Sequence, residues 1–259
     1  MTKLHFIKQG NGPVVVLSHA LGCSLNMWDD VTPMLQEDFT VLRYDHRGHG
    51  LSEVESSVFN MHDLANDAVA LIHEVIGEPV HFIGLSMGGM VAQALAVQHP
   101  QWVKSIVIAN SASHYDDMAK SMWHARIKNV LANGVASIAD GAMQRWFTPE
   151  FRTDMHSGGA ERVRELRAQL ENCNAKAYAA SCAAVAEIDF RESNTRIACP
   201  TLVIAGDRDE ATPPNMSVVI GQAIAGAQLL EISAAHLSAV EQPVQFAKLV
   251  TSFLKSISS

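Results

Sequence analysis

The sequence predicts an α/β fold: a mostly parallel sheet with helices on both faces and a helical cap inserted into it. Three observations predict this. Short runs rich in β-branched residues alternate with stretches of helical periodicity. The runs are apolar throughout rather than at every second residue, as strands covered on both faces require. The alternation breaks once, over residues 115–198, where the pattern is helical.

Taken in order, "PVVVLSHA", "FTVLRYD", "VHFIGL", "VKSIVIAN", "CPTLVIAG" and "AQLLEIS" read as buried strands. Between the second and third, Leu64, Ala68, Leu71, Ile72, Val75 and Ile76 fall on one face of a helix over 61–76. A second helix is expected over 87–99, closed by Pro100, and a last one over 243–255. The 115–198 block contains "AERVRELRAQLENC" and "AKAYAASCAAVAEI", both helical in pattern. Lying between two strands of a parallel sheet, it reads as a cap over the carboxyl edge, where open α/β sheets bind ligands. The expected organisation is a core of residues 1–114 and 199–259 with the cap at 115–198.

With 259 residues, 48% of them apolar, the chain is globular and long enough for one large α/β domain or a core with an insertion. Its net charge of −8 and the lack of a basic stripe argue against nucleic acid as a partner. Residues 115–198 hold 11 Lys/Arg and 11 Asp/Glu, so the core carries the whole net charge. The cap arginines either form a solvated mixed-charge face or meet an anionic substrate, and charge counts leave both open. The N-terminus reads as a turn before a strand rather than a signal peptide, and no apolar stretch approaches the ~20 residues of a membrane span. Cys23, Cys173, Cys182 and Cys199 lack metal-ligand spacing and read as reduced thiols, so a cytoplasmic protein is expected.

"Gly84-Leu85-Ser86-Met87-Gly88" places a serine between an expected strand and an expected helix. A serine in so tight a turn needs glycine two residues away on either side, where side chains would collide. Gly89 then lets the helix lie close to a neighbouring strand. A neutral hydroxyl is a poor nucleophile; it needs a base, and the base an orienting carboxylate, here in the chain order Ser, acid, His. Of the 12 histidines only His236 follows the last strand, and none other lies beyond residue 156. Others, such as His49 and His99, read as surface or capping residues. Asp207, Asp209 and Glu210 compete for the acid; the loop beyond "TLVIAG" favours Asp209, with Asp207 capping the strand end or a turn. After "SIVIAN" stand Asn110 and Ser111, not a carboxylate. Oxyanion donors are expected from the backbone amides of Met87 and Leu21, with His19 bracing the latter's loop. "RYDHRGHGLS" lacks the spacing of a nucleotide fingerprint and reads as a strand-to-loop turn. No metal spacing appears, and this chemistry needs no cofactor.

With these residues assigned, the chain resembles the α/β-hydrolase superfamily along nearly its whole length. More narrowly, it is similar to the 3-oxoadipate enol-lactonases of aromatic catabolism. The resemblance rests on "SHALGCSLNMWDDVTPML", "VLRYDHRGHGLS", "GLSMGGMVAQALAVQHP", "RWFTPEF" and "GDRDEATPP". Most superfamily members have glycine where Ala20 stands, whereas the enol-lactonases resemble this chain there. The resemblance implies Ser86 as nucleophile, Asp209 as acid, His236 as base and Leu21 and Met87 as oxyanion donors. It implies a small anionic lactone as substrate, opened to 3-oxoadipate. Trp123, Arg126, Arg145 and Trp146 lie at cap-helix spacings suited to its carboxylate; core packing for the tryptophans and surface ion pairs for the arginines are the plainer roles. A general carboxylesterase or a C–C bond hydrolase of the same fold is the nearest alternative. A non-catalytic small-ligand receptor is the alternative of another class, although such a module can lose triad members and all three stand here. The sequence carries no sign of oligomeric state.

Overall fold

The apolar runs of the sequence pair into one sheet in the computed structural model, which describes residues 2–53 and 58–257. Among the described residues its strands are β1 (Phe6–Gln9), β2 (Val14–Ser18), β3 (Thr40–Tyr44), β4 (Val80–Leu85), β5 (Val103–Ala109), β6 (Thr201–Gly206) and β7 (Gln228–Ile232). Their spatial order is β1-β3-β2-β4-β5-β6-β7. All neighbours run parallel except β1, which lies antiparallel on β3. Every residue of β2, β4 and β6 is buried, so helices cover both faces of the central sheet.

Parallel neighbours need crossovers, and helices supply them. After the short α1 (Thr32–Leu35), α2 (Met61–Val75) joins β3 to β4 and α3 (Met87–Gln98) joins β4 to β5. Between β5 and β6 come α4 (Asp117–Asn133), α5 (Ala139–Trp146), α6 (Pro149–Thr153), α7 (Gly159–Glu171) and α8 (Ala175–Ala186). No named strand interrupts this stretch among the described residues; one isolated bridge joins His114 to Asp189. The chain closes with α9 (Pro214–Ala223), α10 (Ser238–Glu241) and α11 (Pro243–Ile257), whose Phe246 packs 5.9 Å from the Trp28 ring.

Two strand expectations need correction. The sequence pattern missed β1, a four-residue edge strand whose "FIKQ" is too short and too exposed to show a period. It also placed β7 among the strands buried on both faces, whereas only Ile232 of β7 is buried. β7 is the other edge, so its leucines face partial solvent instead of a further strand.

The start of α2 shows how local chemistry sets a boundary. The Asn60 side chain accepts the backbone N–H groups of His62 and Asp63, and Asp63 accepts the Asn60 N–H in return, a capping box. Leu64, Ala68, Leu71 and Ile72 then bury one face, while Val75 and Ile76 are half-buried. Asp67 on the same helix receives Arg47 in a bidentate pair, Nε to Oδ2 at 2.5 Å and Nη2 to Oδ1 at 2.6 Å. That pair ties the turn after β3 to the helix layer. Replacing the cap, Asn60→Ala, lowers stability by about 1 kcal/mol. This is read as a lower urea midpoint at unchanged m-value.

Candidate active site

Ser86 stands at the junction of β4 and α3 with φ 57° and ψ −115°, outside the ordinary regions for a residue bearing a side chain. Gly84 and Gly88 make the turn possible: a Cβ on Gly84 would strike the Gly88 carbonyl, and one on Gly88 the Ser18 carbonyl. A Cβ on Gly89 would crowd Ser111 and Ile108 of the neighbouring strand and loop. The strained backbone is held from both sides, Ser86 N–H donating to Ala109 O at 2.9 Å and the Ser111 hydroxyl donating to Ser86 O at 2.8 Å.

The structure brings Ser86, Asp209 and His236 together from three distant parts of the chain. The Ser86 hydroxyl lies 2.9 Å from His236 Nε2, and His236 Nδ1 lies 2.9 Å from Asp209 Oδ2. With Nδ1–H donating to the carboxylate, Nε2 is left as the acceptor of the serine proton. Asp209 also accepts the N–H groups of Ala211 (2.8 Å) and Thr212 (2.9 Å), the Thr212 hydroxyl (2.8 Å) and Asn110 Nδ2 (3.0 Å). Burial acts to raise its pKa, but His236 and these donors overcome that and hold the carboxyl below its ordinary value. Asp207 takes a different part: it accepts Ala234 N–H and the Ser233 hydroxyl at the turn beyond β7.

Leu21 and Met87 line the same cavity as Ser86 and His236. The Met87 amide opens α3, so it has no acceptor within the helix. The Leu21 loop is braced by the turn after β3, which the sequence marked only as a turn. Gly22 N–H donates to His49 Nε2 at 3.1 Å, and His46 N–H donates to His19 Nε2 at 3.0 Å. Leu25 N–H donates to Asp45 Oδ1 at 2.7 Å. His49 is therefore not the surface or capping residue expected of it; it is buried, its ring 5.3 Å from that of His19. His99 stands at the C-cap of α3. Burial, then the neighbouring imidazole of His19, lowers the His49 pKa to about 3, and burial lowers those of His19 and His46 as well. Burial also pushes the Cys23 thiol well above its ordinary value.

The cavity above Ser86 measures about 340 Å³. Trp123, Arg126, Arg145 and Trp146 all line it, together with Tyr115 and Tyr178, which the sequence pattern did not single out. The Arg126 guanidinium lies over the Trp123 ring, 4.6 Å from its centroid. Among the described residues no carboxylate forms an ion pair with Arg126 or Arg145. Burial, and then the charge of Arg126, pulls the Arg145 pKa down. Asn110 and Thr212 were missed as partners of the acid. A buried polar residue just past a strand end was the available signal for Asn110; nothing marked Thr212.

The family model for the alpha/beta hydrolase fold matches residues 13–243, and the chain belongs to that family. It is a hydrolase of the α/β fold. It is 34% identical over 247 residues to 3-oxoadipate enol-lactonase 2 of Acinetobacter baylyi, a match covering 95% of this chain and 90% of that one. Among solved structures it is similar to the enol-lactonase from Burkholderia xenovorans LB400, with TM-score 0.93 and 32% identity over 98% of this chain and 97% of that one. It is also similar to a malate-bound thermophilic esterase from Thermogutta terrifontis, with TM-score 0.92 and 27% identity over 100% and 95% of the two chains. No helix among the described residues is long and apolar enough to cross a membrane.

The buried imidazoles give the stability a pH dependence of known sign. A histidine that titrates near 6.5 when unfolded and near 3 when folded binds its proton more readily in the unfolded chain. Stability therefore falls as pH drops through that window, by up to about 1.4 kcal/mol per pH unit for each such proton. The urea midpoint should decrease from about pH 6.5 towards 4.5, and more shallowly in His49→Gln, which keeps an acceptor for Gly22.

Proposed function

We propose that this chain is a serine hydrolase that opens 3-oxoadipate enol-lactone to 3-oxoadipate, with residues 115–198 acting as a cap over the site. The observation that carries the substrate class is the pair of half-buried guanidinium groups, Arg126 and Arg145, lining the serine cavity without an ion pair to a carboxylate among the described residues, although Glu210 lines the same cavity and acts on Arg145. Two such cations beside a nucleophile favour a substrate bearing its own carboxylate. The similarity to enol-lactonases supports a lactone with an acetate arm, and that of the malate-bound esterase a small acid. A cavity of about 340 Å³ suits a ligand of this size. Work on such a catabolite belongs in the cytoplasm.

In this reading the arm lies against Arg126 and Arg145, between Trp123 and Trp146, and the ring carbonyl faces Ser86. The serine oxygen attacks the carbonyl carbon while its proton passes to His236 Nε2. The amides of Leu21 and Met87 receive the developing oxyanion. Collapse breaks the ring C–O bond, and the leaving enolate takes the proton from His236 and tautomerises to the ketone. That tautomerisation makes ring opening hard to reverse. His236 then removes a proton from water, which attacks the acyl-enzyme, releases 3-oxoadipate and restores the Ser86 hydroxyl.

Ser86→Ala should reduce lactone hydrolysis by about 10⁴-fold or more. Arg126→Gln and Arg145→Gln should each raise KM for the arm-bearing lactone by about tenfold, with little effect on a neutral aryl ester. Steady-state rates on the enol-lactone, a short aryl ester and a dienoate separate lactonase from general esterase and C–C hydrolase. Comparable turnover of all three would sink the lactonase assignment, and no turnover of any would favour a non-catalytic binding module.

A further inference from the structure

Glu241 is a buried carboxylate that the serine chemistry does not use; it is 7% exposed. Its Oε2 accepts the Ala235 N–H at 3.0 Å and the Thr148 N–H at 3.4 Å, and its Oε1 accepts the Thr148 hydroxyl. Ala235 immediately precedes His236, and Thr148 follows the α5 segment that carries Arg145 and Trp146. A second hydrogen bond runs beside the first, from Leu237 N–H to Trp146 O at 3.0 Å. The two peptide flanks of His236 are thus both tied towards residues 146–148, Leu237 directly and Ala235 through Glu241, and Trp146 lines the cavity.

The opposite side of the same loop is tied to the sheet. Asn110 Nδ2 donates to Ala235 O at 3.2 Å, and the Ser238 hydroxyl donates to Asn110 Oδ1 at 2.5 Å. The imidazole itself contacts only Asp209, Thr212 and Ser86 through hydrogen bonds among the described residues. Its position above the serine therefore depends on a backbone suspended between the sheet and the 146–148 stretch. The residue types fit the task. Three donors converge on Glu241, and a carboxylate offers acceptors alone, whereas an amide would turn an NH₂ group towards one of them. Thr148 both donates to Glu241 and accepts Phe151 N–H as the N-cap of α6, so one side chain fixes the end of the tie.

We infer that Glu241 and Thr148 are positioning residues that couple the seating of the 146–148 stretch to the placement of His236 over Ser86. A substrate that orders Trp146 and Arg145 thereby also steadies the base. The inference rests on the serine-hydrolase reading, so its test begins with Ser86→Ala on both the enol-lactone and a short aryl ester. The test proper compares Glu241→Gln, Thr148→Val and Thr148→Ser by kcat, KM and the downfield proton resonance of His236 Nδ1–H. In Glu241→Gln and Thr148→Val, kcat should fall about 10²-fold with KM little changed, the loss expected from a small misplacement of a reacting group. The downfield resonance should broaden or move upfield in both. Thr148→Ser, which keeps the hydroxyl, should recover most of the rate, and the double variant should be no slower than the worse single one.

Wild-type kcat in folded Glu241→Gln and Thr148→Val overturns the inference. So does a rise in KM alone, which would assign the pair to packing of the cavity wall. Should either variant fail to fold, the other and Thr148→Ser still decide the matter. Should Ser86→Ala remain active, the serine reading fails instead. The resonance then tests the coupling by itself, its retention in Glu241→Gln counting against it.

Discussion

Ser86 sits at φ 57° and ψ −115°, a conformation that a residue with a side chain adopts only under constraint, at a cost of about 1–3 kcal/mol. Much of the surrounding structure answers to that constraint. Glycine stands at 84 and 88 because backbone meets backbone there, and β2 approaches so closely that Ser18 O occupies the space a side chain would fill. The neighbouring strand β5 supplies the acceptor for the serine amide, and Ser111 just past it supplies a donor for the serine carbonyl. The central strands are buried and fully paired, so the strain cannot relax without breaking the ladder. Its result is a hydroxyl projected into the cavity from the mouth of a helix.

Histidine plays two opposite electrostatic parts within one site. His19, His46 and His49 are packed against one another, and burial pushes their pKa values down despite the nearby Asp45. His19 Nε2 and His49 Nε2 therefore accept the backbone N–H groups of His46 and Gly22, while His46 Nε2 lies 2.9 Å from the Ser18 hydroxyl. His236 differs in having a hydrogen-bonded carboxylate partner, Asp209, whose pKa is held below its ordinary value. Environment separates the buried braces from the imidazole that faces Ser86, as it separates paired carboxylates in other hydrolytic sites.

Much of this was legible in the sequence. The five central strands announced themselves as apolar runs, because a central parallel strand must be apolar on both faces, and β7 showed a similar run. Edge strands escape that rule, which is why β1 went unseen and β7 was taken for a buried strand. Ser86, Asp209 and His236 were legible since strand order restricts where each group can stand. Asn110, His49 and Glu241 were not, because their parts depend on groups meeting across tens of residues or more, and Thr212 was not because nothing in the pattern fixes how a loop folds back on Asp209 three residues earlier. A periodicity carries no record of such meetings. The motif "RYDHRGHGLS" shows the difference: its turn was visible, its bracing of the Leu21 loop was not.

The helices α4 to α8 are spliced between β5 and β6, so Ser86 precedes them and Asp209 and His236 follow. An arrangement of this kind invites recombination, since new helical sequences can enter at one pair of strand ends while these three residues stay in place. The contacts of residues 146–148 with Leu237 and Glu241, and that of Glu241 with Ala235, set a limit on that freedom. A transplanted helical block brings its own shape at this joint, and the loop bearing His236 must accept it. Chimeras of this chain with other α/β hydrolases should therefore preserve the joint as a unit, exchanging α10 along with α4 to α8.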